Sequence, residues 1–340
     1  MPANYFELIT PEGSGTLNSN FEIDGNTEVE DDVPGILDWD SVAFASKEDL
    51  PTGQTDDSFG QGTKEDSEPP TVVNGSVPNN KSDLTILALA SEGLGSDTFL
   101  YLAWLRANTL GTANIDFELN QSGLFHEEED NTVTPIRMAG DSLLSFDFTG
   151  GDNVVQLSLR EWDGNKWGAP VDLNSSETAA GAVNDPATFG TDPGNVDNPF
   201  SPAAGDTLLD LTFGEAVVNL SDAFGADCRT FNSVYVKSRS STSFTASLKD
   251  FIAPMEADIN TCQTLTLTNM ATATADGLDN IQSNTATIKI TNDPDLLADA
   301  GIPSSELPAL AERAGGVVLA MPQEDLLEPP QGVWRASNLI

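Results

Sequence analysis

The residues able to do chemistry are few and scattered. His126 is the one histidine of the chain, so a Ser–His–Asp triad or an imidazole metal site would have to use it. It stands ahead of Glu127-Glu128-Glu129-Asp130, the setting of a solvated loop side chain rather than of a general base. Asp116 and Glu118 share one face of a strand, a spacing that a pair of glycosidase carboxylates would also show. Plain alternation explains them as well. Ile115, Phe117 and Leu119 alternate with Asp116, Glu118 and Asn120, which puts the polar residues on an outward face. Asp56-Asp57 and the run Asp192-Pro193-Gly194-Asn195-Val196-Asp197-Asn198 set short oxygen ligands on turn-prone backbone, as a hard cation requires. Asp56, Asp57, Asp192 and Asp197 are therefore the candidate Ca²⁺ ligands. No EF-hand spacing occurs, no cofactor is required, and an acidic surface without a specific ligand accounts for the same residues. Trp162 and Trp167 flank a hairpin tip and are the candidate platform for a sugar ring, with core anchoring as the other reading. Lys81, Asn120 and Glu118 offer the residue types of a Lys–Asn isopeptide bond.

Cys228 and Cys262 are the two cysteines. Neither lies in a CxxC pair, and one histidine cannot complete a zinc site with them. A Cys228–Cys262 disulfide is expected, which implies an oxidising compartment; two buried thiols are the alternative. Lys and Arg number 14 against 54 Asp and Glu, a formal charge of -40. Such a surface repels phosphate and anionic lipid, so neither nucleic acid nor membrane insertion is expected. It suits high salt, where self-repulsion is screened within about 3 Å at 1 M, and it can take up Ca²⁺. Met1-Pro2-Ala3-Asn4-Tyr5 shows no basic and apolar export signal. A protein of this kind is then exported with its signal removed, or the sequence starts inside a longer chain.

The elements that position these residues are short strands. In Thr98–Gln121, Phe99, Tyr101 and Ala103 alternate with Leu100, Leu102 and Trp104, so both faces are apolar and the strand is covered on both sides. Asn108-Thr109-Leu110-Gly111 has turn chemistry, and Ile115–Asn120 follows as a half-buried strand, so the stretch predicts a β-hairpin inside a sandwich. Leu84–Ala90, Leu143–Phe148, Val154–Trp162, Phe213–Leu220, Phe231–Val236 and Phe244–Phe251 predict further strands, with one helical turn at Ser221–Phe224. Asp163-Gly164-Asn165 is a hairpin signal. Residues 51–82 and 174–206 read as long loops, the first with a short strand at Thr71–Val73. After Cys262 the Thr/Ala-rich segments 265–269 and 284–290 alternate as one hairpin. Prolines dominate 293–340, which predicts an irregular or helical tail.

Taken in order, FEIDGN, DDSFGQGTKED, NGSVPNNKSDL, TFLYLAWLR, IDFELNQS, LREWDGNKWGAP, TFGEAVVNLSDAF, YVKSRSSTSFTASLKDFIAP and ITNDPD resemble a module of secreted and surface-anchored proteins of actinobacteria and related bacteria. That module stands ahead of prealbumin-like or DUF11-like stalk repeats, and 263–292 resembles one strand pair of the latter type. The likeness implies export, a cell-surface or extracellular location, and an all-β fold: an antiparallel, jelly-roll-like β-sandwich over 1–262, a hairpin over 263–292 and a tail over 293–340. It implies no activity. The expected role is structural or adhesive and non-enzymatic, with copies of itself or other surface proteins as partners and self-assembly by strand exchange. A carbohydrate-binding module, with glycans as partners, is the second reading.

Overall fold

The computed structural model describes residues 19–29, 36–51, 56–75, 80–94, 97–109, 112–127, 133–149, 154–175, 178–185, 197–201, 206–225 and 227–261, plus the backbone of short strands between 264 and 291 and at 319–320. Contacts divide the chain into two units, Met1–Thr261 and Cys262–Ile340.

The first unit is built from β1 (Ala45–Glu48), β2 (Asp57–Phe59), β3 (Val72–Asn74), β4 (Leu84–Leu94), β5 (Asp97–Arg106), β6 (Ala113–Asn120), β7 (Phe125–Glu127), β8 (Val133–Pro135), β9 (Ser142–Thr149), β10 (Val154–Glu161), β11 (Val171–Asp172), β12 (Ala179–Val183), β13 (Phe213–Asn219), β14 (Thr230–Arg239) and β15 (Leu248–Asn260). A five-stranded sheet runs β1-β4-β5-β13-β12, and an eight-stranded sheet runs β11-β10-β9-β6-β14-β15-β2-β3. Neighbouring strands pair antiparallel, and the two sheets pack face to face as an all-β sandwich. One helical turn, Leu220–Phe224, follows β13; its N-cap Asn219 accepts a hydrogen bond from Asp222 N.

Thr98–Gln121 does contain two strands, but they do not form a hairpin. β5 pairs with β4 and β13 in one sheet, whereas β6 pairs with β9 and β14 in the other. The connection crosses between sheets because each strand has a different pair of faces to cover. Leu100, Leu102 and Trp104 of β5 face the inter-sheet core with Phe117, Phe146 and Val236. Its other face carries Phe99, Tyr101 and Ala103, which pack under Phe21, Ile23 and Trp39 of the N-terminal segment and under Phe200 and Leu208. Each large apolar side chain so buried contributes about 1.5–3 kcal/mol. The doubly apolar strand is thus the centre of two cores.

The segment 174–206, expected to be loop, contributes β12 at the sheet edge. Its Ala-Ala-Gly-Ala-Val sequence has weak strand propensity, but smallness is what the site needs. A Cβ on Gly181 would stand 2.8 Å from Val155 Cγ1 and 3.0 Å from Phe146 Cε2. The strand expected at Thr71–Val73 is β3, and Phe59 before it is buried against Tyr235 and Phe251. The expected hairpin at Asp163-Gly164-Asn165 forms, with Asp163 Oδ1 accepting from Asn165 N and Lys166 N.

In the second unit, Thr264–Asn269 pairs antiparallel with Ala286–Thr291, Leu319–Ala320 adds to the latter, and Thr272–Ala273 pairs with Ile281–Gln282. Apart from 319–320, the expected tail from 293 lies outside the described residues.

Candidate functional site

Among the described residues of the first unit three buried polar centres stand out, and each compensates acid in a different way.

The first sits at the joint between the sheets. Asp49 follows β1, and its N–H donates to Thr85 O at 2.9 Å, which fixes it beside β4. Asp56 precedes β2, and its carbonyl accepts from Gly75 N at 2.8 Å, closing the β2–β3 ribbon. Asp250 lies on β15 opposite Ser58 of β2, and its Oδ2 accepts from Leu84 N of β4 at 2.7 Å. The five-stranded sheet thus contributes Asp49 and the eight-stranded sheet contributes Asp56 and Asp250. One carboxylate oxygen from each lies within 4.8 Å of the others. Asp49 is half-buried, Asp56 is 1% exposed and Asp250 is 0% exposed. Asp49 Oδ2, Asp250 Oδ1 and both carboxylate oxygens of Asp56 accept no hydrogen bond. Burial, reinforced by mutual repulsion with Asp57 and Asp83, pushes Asp49 and Asp56 up to about 7; burial pushes Asp250 up to about 9. Lys47 Nζ, the nearby ammonium, donates instead to Pro254 O at 2.9 Å. The donor set is all oxygen and strongly anionic, the chemistry of a hard divalent cation.

The second centre lies on the outer face of the five-stranded sheet, beneath the N-terminal segment. Glu215 of β13 accepts from Asp24 N at 3.0 Å, Gly25 N at 2.8 Å and Trp39 Nε1 at 2.9 Å. Gly25 has φ 86°, and a Cβ there would lie 2.3 Å from Val183 O, so only glycine lets the backbone approach. Asp38, 0% exposed, accepts from Trp39 N at 2.6 Å through Oδ1, while its Oδ2 has no partner. Burial first, then Glu215 and Asp24, push Asp38 up to about 11. Burial and Asp24 hold Glu215 well above its usual range, against three N–H donors.

The third centre is an ion network on the outer face of the eight-stranded sheet. Arg137 grips Glu118 with two hydrogen bonds of 2.8 Å, Lys237 Nζ donates to Glu118 at 2.7 Å and to Glu65 at 2.5 Å, and Arg239 joins Asp116 and Asp147. Arg137 and Lys237 overcome burial and hold Glu118 well below the usual carboxylate range. Arg137 also donates to Glu65 O and Ser67 O, pinning the loop that covers the sheet.

These centres rearrange the residues singled out from sequence. Asp56 lies in the inter-sheet cluster with Asp57 beside it. Asp197 does not join them: it bridges to Thr207, and its carbonyl accepts from Thr27 Oγ1. Asp192 lies outside the described residues. Asp116, Glu118 and Asn120 are polar but not outward: all are 0% exposed, because Arg137, Lys237 and Arg239 arrive to neutralise the two acids. The cations at Glu118 are Lys237 and Arg137, whereas Lys81 contributes its carbonyl to Arg106. Trp162 and Trp167 are 2% and 5% exposed, edge-to-face at 5.2 Å, with Arg137 over both rings, so the expected sugar platform is closed. His126 pairs with Glu68 at 3.0 Å near the surface. Cys228 is disulfide-bonded; Cys262, its expected partner, lies outside the described residues.

Asp49, Asp250, Asp38 and Glu215 are functional candidates that sequence reasoning misses. Glu215 left one signal, a lone acid inside the apolar run Phe213–Leu220. The others are ordinary acids beside ordinary strands. Among the described residues no helix is long and apolar enough to cross a membrane. No protein-family model matches the chain, and neither the curated proteins nor the solved structures contain a similar one.

Proposed function

We propose that this chain is an extracellular or cell-surface structural module, adhesive or self-associating, and that it performs no catalysis. The observation that carries the reading is how the buried charges of the eight-stranded sheet are used. Glu118, Arg137 and Lys237 are bonded to one another, to Glu65 and to loop carbonyls, so their role is to clamp long loops onto a sheet. Catalytic groups need an open face toward a substrate; these have none. The acidity, the charge of -40 and the bonded Cys228 favour life outside the cell. The resemblance to surface modules that precede stalk repeats points the same way, and the strand pairs after 264 fit a stalk. The carbohydrate-binding alternative loses its supporting residues with Trp162 and Trp167 buried.

Fractionation of the producing cell tests the location: the protein is expected in the medium or envelope fraction, and retention in the cytosol refutes it. Non-reducing peptide mapping is expected to recover Cys228 linked to Cys262. Light scattering across concentration tests self-association, and a strict monomer at high concentration in salt and Ca²⁺ removes that part of the proposal.

A further inference from the structure

We infer that Asp49, Asp56 and Asp250 form a Ca²⁺ site that ties the two sheets of the sandwich together. The inference does not depend on where the protein resides.

Clustered acids alone would not carry it, since exposed carboxylates often stand together without a ligand. Here Asp56 is 1% exposed and neither of its oxygens accepts a hydrogen bond. Asp250 is 0% exposed, its Oδ1 accepts no hydrogen bond, and one of its carboxylate oxygens joins the same cluster. Buried carboxylate oxygens without donors are costly, and a structure keeps them where something compensates them. Among the described residues Lys47 offsets Asp49 in part, but its Nζ donates to Pro254 O, no cation compensates Asp56 or Asp250, and Asp57 and Asp83 add negative potential.

The donor chemistry selects the ion. Among the described residues the cluster has no nitrogen or sulfur donor, which disfavours Zn²⁺ and copper. No two of the converging oxygens lie more than 4.8 Å apart, within reach of a single ion with Ca–O bonds of about 2.3–2.6 Å. Mg²⁺ dehydrates reluctantly, demands regular octahedral geometry and is usually held by one or two carboxylates, so three converging carboxylates suit Ca²⁺ better. Asp49 Oδ2, Asp250 Oδ1 and the Asp56 carboxylate supply up to four oxygens, and water completes the six to eight that Ca²⁺ takes.

The position gives the ion its consequence. Asp49 belongs to the edge of the five-stranded sheet, Asp56 opens the β2–β3 ribbon, and Asp250 is on β15 of the other sheet. A bound cation turns the convergence of their ionised carboxylates from repulsive to attractive.

The test is Ca²⁺ titration of the chelator-treated full chain by calorimetry at physiological ionic strength, with thermal melts in Ca²⁺ and in chelator. One saturable site is expected, with a rise in Tm of about 5–10 °C when free Ca²⁺ is a hundredfold above Kd. Asp56→Asn is expected to weaken binding by about tenfold or more through loss of a ligand charge. Without Ca²⁺ it is expected to melt no lower than the native chain, since it neutralises an unpaired carboxylate. Asp49→Asn, at the half-buried rim, gives the same loss of binding with less risk to folding. Absence of saturable heat together with unchanged Tm overturns the site. So does undiminished affinity in both variants, which would assign the binding to the general acidic surface. Mg²⁺ binding as tightly as Ca²⁺ overturns the assignment of the ion.

Discussion

Replacing Asp38 by Asn is expected to stabilise the protein at neutral pH and to leave it unchanged in acid. Asp38 is 0% exposed and is pushed from its ordinary 3.8 up to about 11. In the unfolded chain at pH 7 it is ionised; in the folded chain it carries a proton. A raised pKa contributes stability that is complete below about pH 3.8 and is lost as pH climbs toward 11. Between pH 3.8 and 7 the loss is about 1.4 kcal/mol per unit, or about 4 kcal/mol. Asn has no proton to take up, and its Oδ1 can still accept from Trp39 N. Its Nδ2 would lack an acceptor, but the proton on Asp38 Oδ2 lacks one already, so that term cancels. Glu215 is raised too and keeps part of the proton uptake in the variant. The expected gain at pH 7 is therefore about 2–4 kcal/mol, shrinking to near zero by pH 3.5. Urea unfolding followed by tryptophan fluorescence at several pH values between 3.5 and 8.5 measures it, with Trp39 as a neighbouring reporter. A variant less stable than the native chain at pH 7, or a difference that does not grow with pH, refutes the reasoning.

Two other substitutions test the remaining centres. Lys237→Met removes the ammonium shared by Glu65 and Glu118; urea unfolding is expected to show a loss of about 3–5 kcal/mol, and adding Glu65→Leu is expected to restore part of it. Gly25→Ala puts a methyl 2.3 Å from Val183 O at a positive φ. Equilibrium unfolding is expected to register at least about 1–3 kcal/mol, with proteolysis near 19–29 rising as the segment lifts from Glu215.

The strands were largely legible, and their partners were not. Phe99–Trp104 announced cover on both faces, and the two cores around β5 supply it. What local pattern could not tell is which sheet the next strand joins. β6 follows β5 in sequence yet pairs with β14, more than a hundred residues later. The same limit explains the polar face of β6. Alternation marks Asp116, Glu118 and Asn120 as one face, but solvent and a buried counter-charge produce the same pattern. The deciding residues, Lys237 and Arg239, stand 119 and 123 positions from Glu118 and Asp116 and meet them only in the folded chain. β12 was missed for a different reason: Gly181 is kept small by Val155 and Phe146, so packing overrides propensity. Asp56 was legible as a ligand because it stands beside Asp57 in a turn-rich stretch, whereas Asp49 and Asp250 become ligands only by the meeting of two sheets.

The charge balance accounts for why the three centres differ. With 14 Lys and Arg against 54 Asp and Glu, cations are scarce, and the buried ones are not shared among all the buried acids. Arg137, Lys237 and Arg239 are all committed to the outer face of the eight-stranded sheet, where they pair with Glu118, Glu65, Asp116 and Asp147. A buried carboxylate elsewhere has two other routes to neutrality, a proton or a metal ion. Asp38 takes the first, since its free oxygen stands alone beneath Trp39 and the acids around it repel. Asp49, Asp56 and Asp250 suit the second, since one carboxylate oxygen of each lies within 4.8 Å of the others and each residue keeps an oxygen without a partner. The two routes respond oppositely to pH. Protonation at Asp38 weakens as pH rises, whereas a cation site of ionised carboxylates strengthens. In Ca²⁺ the native chain should therefore lose less stability between pH 5 and pH 8 than it loses in chelator, and parallel pH profiles in the two media would break this division of the acids.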